Sequence, residues 1–237
     1  MYLNSLYWWS PWDLLMIPGL LLGLYAQFKL NAAYNKYLQV GTRAGLSGAE
    51  AAREILDHAG LTNMPVGEIP GRLTDHFDPM KKALFLSSEN YHGRSLSAVG
   101  VAAHESGHAL QQQAGYALFN FRMMIAPATQ FASYAWMGIF ILGMILGGTY
   151  FRPFINIAIG IFSVITLFQV VTLPVEYDAS RRAKQQLVKL GLVQADEAPA
   201  ISKVLDAAAM TYVAAMLGAI LQLLRLIMIA NSGNRRR

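Results

Sequence analysis

Hydrophobic positions along this chain are not spaced as the stripes of soluble helices. They gather into long uncharged runs. The first, LLMIPGLLLGLYAQF, lies between Asp13 and Lys29 and follows the aromatic residues Tyr2, Tyr7, Trp8, Trp9 and Trp12, an interfacial cluster in front of a short membrane anchor. No Lys or Arg precedes the run and no small-residue cleavage site follows it, so it reads as a retained anchor and not as a secretory signal. Met123 to Phe151 is uncharged, Arg152 and Pro153 interrupt, and Phe154 to Val175 is uncharged again. Against a hydrocarbon layer about 30 Å thick and a helical rise of about 1.5 Å per residue, each block is long enough to span, which predicts a transmembrane hairpin. A fourth run, Ala207 to Leu224, ends at Arg225 and is ambiguous between a span and a helix of the globular part.

The intervening stretches carry most of the charge and the punctuation of ordinary folded structure. Ser47-Gly48-Ala49-Glu50 is a capping box opening a helix that stops at Gly60. MPVGEIPGRLTDHFDPMKKALFLSS predicts short strands around a turn at Asp78-Pro79. The strand Ala83 to Ser87 is apolar on both faces and is expected to be covered on both sides, with an edge on which an extended peptide adds. Ser95 to Ala114 reads as one buried helix leading toward the hairpin, and Pro174 as the first residue of a helix ending near Gly191. The expected fold class is a mainly α, polytopic membrane protein with a zincin-like α+β catalytic domain split by a transmembrane helical hairpin. The divisions are an anchor over residues 1–28, a first catalytic part over 29–122, the hairpin over 123–175, a second catalytic part over 176–206, and a C-terminal membrane or membrane-associated helix over 207–237.

Composition sharpens this picture in two places. Of 237 residues, 54% are hydrophobic and only 14% charged, well below the charged share of a soluble domain. There is no cysteine, which excludes disulfides, thiol nucleophiles and Cys-ligated metals, so any zinc is held by His and carboxylates. The net charge of +5 comes from basic residues along the membrane flanks with no aromatic-interleaved basic stripe, which argues against nucleic acid.

The chemistry centres on His104-Glu105-Ser106-Gly107-His108, an H-E-x-x-H. At roughly 400° of helical rotation between them, the two histidines project from one face a turn apart and reach one metal ion. Glu105 projects at another angle, a poor third ligand but well placed to take a proton from a metal-activated water and return it to a leaving amine. Independent placement of 5 His and 7 Glu makes such a pentad a chance event at an expectation of roughly 0.003. A catalytic zinc needs a third protein ligand and an open position. The metzincin extension is absent, with Gln111 and Ala114 where its Gly and His would stand. Downstream glutamates are Glu176 and Glu197. Glu176 is favoured because it is expected to open a helix where the hairpin returns, whereas Glu197 lies in a polar loop.

These segments resemble a known family. GVAAHESGHALQQ, the paired membrane runs and PVEYDASRRA are similar to the YugP-type membrane-bound zinc metallopeptidases, and more distantly to integral-membrane gluzincins with a split catalytic domain. The resemblance extends over essentially the whole chain, from IPGLLLGLYAQFKL through GRLTDHFDP. It implies a bacterial multi-pass zinc endopeptidase with His104, His108 and Glu176 as ligands of Zn2+ and Glu105 as general base and acid. The broader group usually has an aspartate four residues after the ligand glutamate. Here that position is Ser180, with Asp178 nearby, which leaves open which of them orients a ligand histidine.

Further candidates for a role near the metal or in the transition state are His76, beside Asp75, and Tyr212. Each also has an ordinary reading, as a solvated turn residue and as packing. His58 and His92 read as surface residues, and Arg181 and Arg182 as basic residues at the membrane surface. The expected partners are a polypeptide substrate, a membrane protein among the possibilities, and the lipid bilayer. Fourteen Lys and Arg fall on the side of the two expected catalytic parts, which by the positive-inside tendency places the site in the cytoplasm of a bacterial cell. The competing function is a catalytically silent zinc-stabilised membrane scaffold or chaperone partner, against which the presence of Glu105 argues.

Overall fold

A computed structural model describes residues 10–232, so the aromatic residues Tyr2, Tyr7, Trp8 and Trp9 and the terminal Arg235 to Arg237 lie outside the described residues. The protein is mainly helical. It has helices α1 (Met16–Leu38), α2 (Gly48–His58), α3 (Ser88–His92), α4 (Leu96–Gln113), α5 (Ala117–Leu146), α6 (Gly148–Lys189) and α7 (Ala198–Ser232) and a small sheet of β1 (Val66–Ile69), β2 (His76–Asp78) and β3 (Ala83–Ser87). Two compact units account for the contacts: residues 26–121 with 172–212, and residues 1–25 with 122–171 and 213–237.

In the first unit, α2 begins with the capping box expected of it, Ser47 Oγ accepting from Glu50 N and Glu50 reaching back to Ser47 N. Its N-terminus sits so close to α3 that a Cβ at Gly48 would lie 2.2 Å from the Asn90 carbonyl oxygen. Helix α4 is capped by Ser95, and its small residues Ala98, Gly100, Ala102 and Ala103 let it run through the middle of the unit. Tyr34, Ile55, Val99, Leu187, Ile201 and Val204 form the apolar core around it. Asp75 clasps the start of α3 to the sheet, accepting from Ser87 N at 2.8 Å and Asn90 Nδ2 at 2.8 Å.

The sheet corrects one expectation. β3 is the central strand in the order β1-β3-β2, parallel to β1 with Val66 opposite Leu84 and antiparallel to β2 with Phe77 opposite Leu84. Both faces of Ala83 to Ser87 are largely buried, as expected, but its backbone groups are used in two ladders and offer no edge to a peptide. The free edges belong to β1 and β2.

A second correction concerns Pro174. It does not open a helix: α6 runs unbroken over 42 residues, with Pro153 and Pro174 inside it. Proline removes one backbone donor, and in a long helix packed by neighbours that loss is tolerated. Glu176 is therefore an interior residue of a rigid helix, not a cap.

The second unit is formed by the apolar runs. Four helical stretches, Pro11–Leu38, Ala117–Leu146, Tyr150–Lys189 and Ala198–Ser232, are long and apolar enough to cross a membrane. Close backbone approaches hold them: a Cβ on Gly19 would come within 3.3 Å of Gly218 Cα, and one on Gly143 within 2.6 Å of Phe154 Cβ. Trp136 packs edge-on to Phe162 at 4.9 Å. Arg225 within the last of these stretches has a partner. Its guanidinium pairs with Asp13 in the turn just before α1, and Trp12 Nε1 donates to Ser232 Oγ at 2.9 Å, so the residues leading into α1 and the end of α7 lie together. A charge with a bonded counter-ion can reside in an apolar bundle.

Neutralising one partner strands the other. Asp13→Asn and Arg225→Gln are each expected to cost about 1–3 kcal/mol in detergent unfolding, the penalty for a polar group left unsatisfied, with the charge-swapped double variant recovering most of it. Additive losses in the double variant would show that the pair contributes nothing.

Candidate metal centre

Helices α4 and α6 cross at Gly107. A Cβ there would stand 2.5 Å from the Ala179 carbonyl oxygen and 3.2 Å from its Cα, so only glycine allows the two backbones this approach. Because residues three and four apart share a helix face, the crossing puts His104 and His108 of α4 opposite Glu176 and Ser180 of α6.

The result is a convergent set of lone pairs. His104 Nε2 lies 3.1 Å and His108 Nε2 3.4 Å from Glu176 Oε2, and the three ligand atoms fall within 4.8 Å of one another. Glu176 is almost entirely buried, at 1% exposure, so its carboxylate has little solvent to turn to.

The opposite nitrogens are each held from behind. His104 Nδ1 is 3.1 Å from Ser180 Oγ. His108 Nδ1 is 2.9 Å from Gln111 Oε1, while Gln111 Nε2 donates to Val175 O at 2.8 Å and to Asp178 Oδ2 at 3.0 Å. Since both of those partners only accept, the Gln111 nitrogen faces them and its oxygen must accept from His108. His108 therefore carries its proton on Nδ1 and presents a bare Nε2 lone pair to the centre. Asp178 is in turn bonded by Arg181 and by Arg182 Nε, the latter at 2.6 Å.

Glu105 stands beside this group without joining it. Its Oε2 accepts from the Phe77 backbone N–H at 3.0 Å, which ties it to the outer edge of β2. Burial pushes its carboxyl up to about 7, against the opposing effect of the neighbouring His104 side chain.

The remaining candidates are placed as follows. Ser180 and Asp178 divide the positioning contacts, Ser180 touching His104 directly and Asp178 reaching His108 only through Gln111. Arg181 and Arg182 are not merely surface charge: both are engaged with Asp178. Glu197 is used elsewhere, accepting from Arg43 N at 2.9 Å and Gln194 N at 2.7 Å ahead of α7. His76 is exposed, with Nδ1 3.0 Å from Thr74 O and its ring stacked on Phe85, and is not one of the converging ligands. Tyr212 is half-buried on α7. His92 bonds Glu68 at 3.0 Å. The residue that sequence reasoning passed over is Gln111. Its position three residues after His108 on one helix face was the available signal.

A sequence profile described as "Putative neutral zinc metallopeptidase" matches residues 12–231. The chain belongs to this family. It is also 45% identical over 219 residues, 92% of this chain and 96% of the relative, to the "Putative membrane protease YugP" of Bacillus subtilis (strain 168). No solved structure matches the chain.

The donor set fits zinc on its own chemistry. Two neutral imidazoles and a carboxylate are borderline-soft and hard donors suited to a tetrahedral site, and three mutually facing acceptors call for a cation between them.

Two substitutions test this support. Gln111→Leu removes both the acceptor behind His108 and the link to Asp178, and is expected to lower zinc affinity about 10- to 100-fold in a chelator competition. Gly107→Ala leaves every polar group in place but forces α4 and α6 apart. It is expected to weaken zinc binding and to destabilise the protein by about 1–3 kcal/mol. Unchanged affinity in Gly107→Ala would detach the helix crossing from the metal centre.

Proposed function

We propose that this protein is a membrane-embedded zinc metalloendopeptidase. Its zincin-like catalytic domain is supplied by the parts over 29–122 and 176–206, on either side of the hairpin over 123–175. The observation that carries this reading is the convergence of His104 Nε2, His108 Nε2 and Glu176 Oε2 on one point, with the Glu105 carboxylate beside it and outside the ligand set. A purely structural zinc, as in a silent scaffold or chaperone partner, has no use for an adjacent base and closes its fourth position.

When bound, zinc supplies Lewis acidity that brings the pKa of water toward neutrality and polarises the scissile carbonyl. His104, His108 and Glu176 hold it. Glu105 accepts the proton of the attacking water on its carboxylate and passes it to the departing amine nitrogen. The Phe77 N–H holds the Glu105 carboxylate in place through that transfer. Ser180 and Gln111 keep the imidazoles turned with Nε2 inward.

The substrate reading changes with the sheet. An extended peptide has no access to β3, but the outer edge of β2, where the Phe77 N–H already points at Glu105, is a strand edge beside the base. Backbone pairing there asks little of side-chain sequence and suits unfolded polypeptide or loops of membrane proteins close to the bilayer. The count of basic residues supports a cytoplasmic site.

In the decisive experiment, Glu105→Gln keeps about one zinc per chain yet loses hydrolysis by at least about 100-fold, because an amide cannot take the proton. Turnover at the wild-type rate in this variant would defeat the proposal. Glu176→Ala is expected to release the metal and Glu197→Ala to retain it, as read by metal analysis. A cysteine at Ser88 labelled from outside intact cells would reverse the orientation.

A further inference from the structure

The turn between β2 and β3 presents an unusual surface. Met80 is 89% exposed, the most exposed large hydrophobic residue among those described, and Lys81 and Lys82 beside it are exposed as well. An isolated methionine at a loop tip is unremarkable in itself. This tip, however, is held by hydrogen bonds within the turn and at its base.

Asp78 Oδ1 accepts from Met80 N at 2.9 Å and from Lys81 N at 3.0 Å, which locks the turn. Lys82 adopts a left-handed backbone with φ 49°, so the turn carries a lysine where glycine or asparagine would sit with less strain. The base of the turn is pinned to α4 at two points: Phe77 N to Glu105, and Pro79 O to Gln112 Nε2 at 3.1 Å. From Glu105 to Gln112 the helix advances roughly 10 Å. β2 therefore runs alongside α4 in the same direction, and the tip emerges at the C-terminal end of α4. From that end the chain passes through Ala114, Gly115 and Tyr116 into α5, whose first turn meets β2 where the Phe119 ring lies 6.4 Å from that of Phe77. Leu118, next to Phe119, is another partly exposed apolar residue, and α5 then continues as one of the four helices apolar enough to cross a membrane.

We propose that the β2–β3 tip is a lipid-contacting anchor, with Met80 entering the headgroup and upper acyl region and Lys81 and Lys82 meeting anionic headgroups. A methionine flanked by lysines fits that boundary: the thioether side chain is apolar and adaptable, and lysine stems lie along apolar surface while their ammonium groups stay wet. Anionic lipid is the favoured partner because the turn sets two lysines against one carboxylate, Asp78, which accepts from two backbone amides and lies 3.6 Å from Lys81, so the tip keeps a net positive charge. The consequence for catalysis rests on the hydrolase reading. Insertion would hold β2, and through Phe77 the Glu105 carboxylate, at a set distance from the bilayer surface.

The chain contains no cysteine, so Met80→Cys gives a single labelling site, and its exposure means that the change leaves the packing intact. The full-length variant, labelled with bimane, is reconstituted into vesicles of phosphatidylcholine alone or mixed with phosphatidylglycerol. Quenching by brominated acyl chains is compared with quenching by iodide. The expected result is blue-shifted emission quenched by brominated lipid and largely protected from iodide, more strongly with phosphatidylglycerol present. Adding Lys81→Glu and Lys82→Glu should lower the immersed population roughly fivefold per lysine in the anionic vesicles. Emission quenched by iodide and insensitive to brominated lipid in both vesicles overturns the proposal. So does protection from iodide that arises only when a peptide substrate is added, since the tip would then be a substrate contact. No turnover is measured, so the result stands apart from whether the protein hydrolyses peptides.

Discussion

The close crossing of α4 and α6 at Gly107 is the constraint on which the candidate metal centre depends. The distance from the Gly107 Cα to the backbone of Ala179 leaves no room for a methyl group, and that proximity alone brings a carboxylate seventy-two positions away in sequence to within 3.1 Å of His104. Small residues serve the same end elsewhere on α4. Gly100 faces Ile201 of α7, and Ala102 lies against the α2 start at Gly48. Each lets a helix with little apolar bulk of its own be enclosed by larger side chains of its neighbours, so the histidines sit on an element packed from several sides.

Burial of so much polarity around one point requires a second layer. His104 and His108 each have two nitrogens to satisfy, and Glu176 has four acceptor directions. The structure answers with contacts that end in charge balance: His108 to Gln111, Gln111 to Asp178, Asp178 to Arg181 and Arg182. A neutral amide standing between a ligand histidine and an aspartate transmits orientation without placing a formal negative charge next to the ring. His104 has the simpler partner, the Ser180 hydroxyl. The two histidines therefore have different electrostatic surroundings although they are side chains of the same type.

The apolar unit solves a related problem by the same means. A guanidinium among membrane-type helices is expensive unless it is paired, and Arg225 finds Asp13 at the opposite end of the sequence. That contact, with Trp12 on Ser232, pins the beginning of the first helix to the end of the last.

Much of this was legible in the sequence because it is written in local pattern. Uninterrupted apolar runs, the Ser47–Glu50 capping box, the helix beginning at Ser95 and the H-E-x-x-H depend on neighbours within a few residues, where helical and strand periodicities leave a direct trace. The sequence by itself also offered only two glutamates downstream as a third protein ligand and excluded thiol chemistry. What it left undetermined is long-range. Pro174 reads locally as the start of a helix, but packing along α6 overrides that signal and makes Glu176 an interior residue. The doubly apolar pattern of Ala83 to Ser87 is the same for a central strand and for an edge strand covered by helices, so only the pairing decided that β3 is central and β2 lies at the edge. Gln111 looks like one of three consecutive glutamines until the turn of α4 aims it at His108 and the approach of α6 supplies Asp178. Arg225 looks like an argument against a span until Asp13 neutralises it. In each case a residue's meaning came from a partner distant in sequence, and such partners are brought together only by the tertiary packing of helices that local periodicity can identify but cannot arrange.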